Sequence, residues 1–145
     1  MNEKAAALCA KIRRFSANVE GMCAGIERST ASKRMIRRVT SATTAVVISY
    51  AAASEVTRAE DFIPHIAAAA RHAKRARHLL QDLVLMDYVA IGNTRDLILE
   101  ARGLEAILRV ARNTARRHRA ARQRGGSAGG RVAKNPFGAD RQASE

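Results

Sequence analysis

The feature that most constrains this chain is an apolar spacing of 4, 3, 4, 3, 4 that occurs in two distant stretches. Leu8, Ile12, Phe15, Val19, Met22 and Ile26 follow it, and so do Leu97, Ala101, Leu104, Leu108, Ala111 and Ala115. A helix turns about 100° per residue, so each set lines one side of a helix and needs other helices to cover it. Between them, Phe62 to Tyr88 repeats the pattern. Phe62, Ile66, Ala69, Ala73, Ala76, Leu80 and Leu83 fall within one arc roughly 100° wide, while Arg71, Lys74, Arg75 and His78 point the other way. A fourth stretch places Met35, Val39, Ala42, Val46 and Ala53 on one side, and Ile36, Thr43, Val47 and Tyr50 widen the stripe. So wide a stripe buries two sides, and the second, marked by Val47 and Tyr50, is expected to face another subunit.

The four stripes predict an all-α, up-down-up-down antiparallel four-helix bundle, with helices near 4–27, 31–54, 58–89 and 94–122. Abundant Ala, 3% aromatic residues and no Trp agree with it. The β-branched run Thr43, Thr44, Val46, Val47, Ile48 would suit a strand, but no other segment offers a partner strand. The string Arg28, Ser29, Thr30, Ala31, Ser32 offers several caps for helix two. Helix three begins either at Thr57, with Glu60 completing a capping box, or near Asp61, with Pro64 in the first turn. Gly92, Asn93 and Asp96 mark a stop and restart, with Asn93 as the expected cap of helix four. Residues 1–122 form the bundle domain, and the Gly-rich, basic 123–145 is expected to be a disordered tail, either inert or a tethered arm offering Arg131, Lys134 and Arg141.

With 26 Lys+Arg against 13 Asp+Glu, the net charge is +13 over 145 residues, which favours a polyanionic partner. Arg95, Arg102, Arg109 and Arg116 recur every seven residues, with Arg112 and Arg119 beside them, and from Arg109 to Arg124 there are seven arginines and no acid. No pairing within that stretch relieves their repulsion. The candidate phosphate ligands are Arg71, Lys74, Arg75 and Arg77 on helix three and Arg102, Arg109, Arg112, Arg116 and Arg119 on helix four. The competing readings are a solvated surface and a helical adaptor whose basic face meets an acidic protein.

Catalysis and cofactors find no support in the residue pattern. His65, His72, His78 and His118 include no H-x-x-x-H or E-x-x-H pair, so a di-metal site of the bundle type lacks ligands. Asp61 and His65 share a face, a pairing that chance supplies readily, and no phosphate-binding glycine loop or nucleophile elbow occurs. Cys9 and Cys23 stand 14 residues apart on one helix, about 21 Å, too far to bond to each other. The run Ala42 to Ala53 is too short to span a membrane, which takes about twenty apolar residues. The stretch MNEKAAALCAKIRR lacks the apolar core of a signal peptide, so the expected location is cytoplasmic.

Four antiparallel helices, a Phe opening helix three, small residues behind it and Leu85-Met86-Asp87-Tyr88 before a turn together resemble the bacterial four-helix-bundle protein family. Its members include proteins encoded in intervening sequences of large ribosomal RNA genes and the accessory variability determinant of diversity-generating retroelements. The resemblance spans roughly residues 4 to 120, and Phe62-Ile63, Ala69 and Tyr88 match in register. Ser49, Ala52 and Ala53 stand where the family has Asn, Glu and Gly, and Arg75 and Arg77 stand near its helix-three glutamates. What the resemblance implies is a non-enzymatic accessory protein, a five-fold ring that binds RNA or DNA and partners a reverse transcriptase.

Overall fold

A computed structural model describes residues 2–125, so the expected disordered tail lies outside the described residues, apart from its first three positions. The architecture is the expected bundle: α1 (Glu3–Ala24), α2 (Thr30–Glu55), α3 (Ala59–Leu85) and α4 (Ile91–Arg124), with no strand among the described residues. The β-branched run of α2 is helical throughout.

The helix starts are chemically explicit. Asn2 accepts from the Ala5 N–H at 2.7 Å and caps α1. Of the several caps available to helix two, the chain uses Ser29. Its hydroxyl accepts from the Ser32 N–H at 3.0 Å while Ser32 Oγ accepts from the Ser29 N–H at 2.7 Å, a reciprocal capping box. Arg28 folds back and donates to the Cys23 and Ile26 carbonyls at 3.1 and 3.2 Å, bracing the turn that follows α1.

Helix three starts between the two expected points, at Ala59, without a side-chain cap, so the Thr57 capping box does not form and Pro64 lies inside the helix. Glu60 and Asp61 in the first turn favour this start through the helix dipole. Helix four starts three residues earlier than expected. Ala90 is its N-cap, Asn93 lies within the first turn, and the Thr94 hydroxyl donates to the Ala90 carbonyl at 3.0 Å. The α3–α4 turn is a Schellman motif: Tyr88 N–H donates to the Leu83 carbonyl at 2.9 Å and Asp87 N–H to the Val84 carbonyl at 3.0 Å. The motif needs a left-handed residue, and Asp87 takes that place at φ 62°.

Helix α3 sits between α2 and α4, and α1 closes the ring against the same two neighbours. The packing is tightest along α3, whose core side carries Ala69, Ala73 and Ala76, all at most 1% exposed. Small side chains let neighbouring helices approach closely. Phe15, Phe62, Ile12, Ile66, Leu80, Leu83, Leu104 and Leu108 fill the centre. One buried polar contact ties α1 to α2, Ser16 Oγ to Thr43 Oγ1 at 3.3 Å.

The second stripe of α2 corrects an expectation. Tyr50 is buried at 4% exposed and Val47 is half-buried against the core. Flanked by α1 on one side and α3 on the other, α2 buries two sides within its own bundle, so its width requires no second subunit.

Candidate functional site

Six cations gather along the outer junction of α2 and α3. The first turns of α2 supply Arg34, Arg37 and Arg38, and the middle of α3 supplies Arg71, Lys74 and Arg75, all exposed. Two adjoining open cavities, of about 750 and 500 Å3, share Arg38 and Arg75 in their walls and form one trough. The antiparallel packing of α2 on α3 brings these segments together. His78, Asp82 and Glu20 line the same trough.

Among the described residues the ion pairs are Arg58–Glu60, Arg77–Glu105, Arg109–Glu105 and Arg122–Glu60, so none of the six trough cations is paired. No ion pair relieves their mutual repulsion, and Asp82 and Glu20 are the only carboxylates among the lining residues of the two cavities. The half-buried His72 registers that repulsion. Burial, with Arg71 and then Arg75 nearby, pushes its pKa below the ordinary value.

Arg77 serves a different purpose from its expected one. Its Nε donates to Glu105 Oε1 at 2.8 Å across the α3–α4 seam, with the two side chains only 18% and 10% exposed. Arg109 approaches the other Glu105 oxygen at 3.6 Å. Arg77 neutralises a buried carboxylate and holds α3 to α4, which corrects its assignment as a phosphate ligand, whereas Arg109 shares α4 with Glu105 and keeps 52% of its side chain exposed. Arg122, in the stretch that lacks acids of its own, finds Glu60 on α3 at 3.1 Å. With Arg58 first and Arg122 adding to it, the Glu60 carboxyl is pulled down to about 2.

The other candidate arginines of α4, Arg102, Arg112, Arg116 and Arg119, have no acidic partner among the described residues. Burial, followed by Arg116 and Arg109, lowers the Arg112 pKa, another mark of crowded positive charge. The register that sets Arg77 beside Glu105 and Glu60 beside Arg122 puts Lys74 and Arg71 level with Arg109 and Arg112 along the bundle. The cations of α3 and α4 therefore lie at the same height on neighbouring helices.

Sequence reasoning missed Arg34, Arg37 and Arg38. Their signal was present as three arginines at i, i+3 and i+4, one face of a helix, next to Lys33. Phe15, Phe62 and Tyr50 are buried and Tyr88 is half-buried, which leaves the described surface without a fully exposed aromatic ring for base stacking. Among the described residues no group of three His, Cys, Asp or Glu is placed to hold a metal, and no helix is long and apolar enough to cross a membrane. No protein-family model, curated protein or solved structure matches the chain, so the resemblance to the bacterial four-helix-bundle family stands on residue pattern alone.

Proposed function

We propose that this bundle is a non-enzymatic nucleic-acid-binding protein that grips the phosphate backbone in the α2–α3 trough, with the unpaired arginines of α4 extending the contact. The observation that carries the reading is the convergence of Arg34, Arg37, Arg38, Arg71, Lys74 and Arg75 on one trough with no ion pair among the described residues. Cations held together at such a cost in repulsion favour a ligand that spaces negative charges along a line. Since phosphate contacts carry little sequence information and no exposed ring offers a stacking platform, binding is largely independent of sequence.

The test is the salt dependence of binding to a duplex. Each phosphate neutralised contributes about 0.9 to the slope of log affinity against log salt, so Arg38→Gln, Arg71→Gln and Arg75→Gln together flatten it by roughly two to three units. The triple change Arg109→Gln, Arg112→Gln and Arg116→Gln flattens it less, because Arg109 already faces Glu105. An unchanged slope in a folded trough variant refutes the proposal. If that variant instead loses capture of an acidic protein, the trough is an adaptor surface.

A further inference from the structure

On the α1–α4 side of the bundle, away from the trough, lies an open groove of about 340 Å3 lined by Leu8, Tyr50, Ala106, Ile107, Val110 and Ala111. Five of the six are aliphatic. Ile107 and Val110 are 42% and 60% exposed, whereas Tyr50 forms part of the lining while being only 4% exposed. Its hydroxyl makes no hydrogen bond to any described residue. A phenol set in an aliphatic lining offers a bound molecule one hydrogen-bond donor.

We propose that this groove is a binding site for a small, neutral, apolar molecule carrying one acceptor oxygen, a ketone or ester, whose oxygen takes the hydrogen bond of the Tyr50 hydroxyl. The volume lies at the lower end of the range for small-molecule sites, and aliphatic walls with a single polar group are how such sites combine affinity with orientation. A neutral ligand fits better than a carboxylate, because an ion next to the buried hydroxyl would lose its hydration among aliphatic walls. Burial, with Cys9 adding to it, pushes the Tyr50 pKa up to about 12, so the phenol keeps its proton and acts as the donor. The inference is independent of the polyanion reading, since no trough residue takes part.

Acetophenone and ethylbenzene have nearly the same shape and differ by the carbonyl oxygen, so they separate the hydrogen bond from the apolar contact. Titrated into the full chain and followed by NMR, acetophenone is expected to shift the Ala106, Ile107 and Val110 methyl signals saturably. Tyr50→Phe should weaken acetophenone roughly threefold to tenfold and leave ethylbenzene unchanged. This variant keeps the ring in place and should fold at least as stably, since the lost hydroxyl had no protein partner. Equal acetophenone affinity in Tyr50→Phe overturns the role of the hydroxyl. Methyl signals that neither compound moves, up to its solubility limit, overturn the site.

Discussion

The Arg77–Glu105 pair allows the structural arginines to be told apart from the binding ones. At 2.8 Å, an effective dielectric of about 20 gives roughly 6 kcal/mol of attraction, most of it offset by removing both ions from water. The net worth of the pair is therefore small, but loss of one partner is not. Stranding a buried charge costs about 3–5 kcal/mol, and because Arg77 keeps 18% of its side chain in contact with solvent, Glu105→Met belongs near 3 kcal/mol. Arg77→Met should cost less, about 2 kcal/mol, since Arg109 at 3.6 Å still faces the carboxylate. Replacing both by Met should return stability to within about 1 kcal/mol of the parent, the signature of a pair whose members are needed mainly by each other. With a urea slope near 2 kcal/mol/M, Glu105→Met lowers the unfolding midpoint by about 1.5 M. The salt slope of nucleic-acid binding should not change in Arg77→Met. A loss below about 0.5 kcal/mol in Glu105→Met, or additive losses in the double variant, would refute this account of the seam.

Two further outcomes follow from local chemistry. Asp87→Gly removes a left-handed non-glycine residue from the Schellman turn at φ 62° and should stabilise the fold by up to about 1 kcal/mol in urea melts, whereas Asp87→Val should destabilise it by at least as much. The lowered pKa of His72 means that the unfolded chain binds its proton more readily than the folded one. The stability it contributes is therefore complete above its ordinary value of 6.5 and lost as pH falls through the lower folded value. A polyanion beside Arg71 and Arg75 would offset their repulsion, so its NMR titration midpoint should rise when nucleic acid binds, and an unmoved midpoint would place the ligand elsewhere.

The helix count and most of the core were legible in the sequence because burial of a helix side is a periodic, local property. The Phe62 to Leu83 arc and the Leu97 to Ala115 stripe appear in the core as spaced. The excess of positive charge was equally plain. Helix ends were less so: Asn93 looked like a cap, but the Thr94 bond to Ala90 and the Schellman turn start α4 earlier.

What no local pattern decides is which helix faces which. The row of α4 looked free of acids because Glu60, the partner of Arg122, is 62 residues away. Arg77 and Glu105 are 28 residues apart and meet only because α3 lies antiparallel on α4. Tyr50 reads from sequence as facing a second subunit because nothing in α2 shows that α1 and α3 cover its two sides. The trough likewise exists only once Arg34, Arg37 and Arg38 are set against Arg71 and Arg75, because charge is summed across space and a sequence orders it along one dimension.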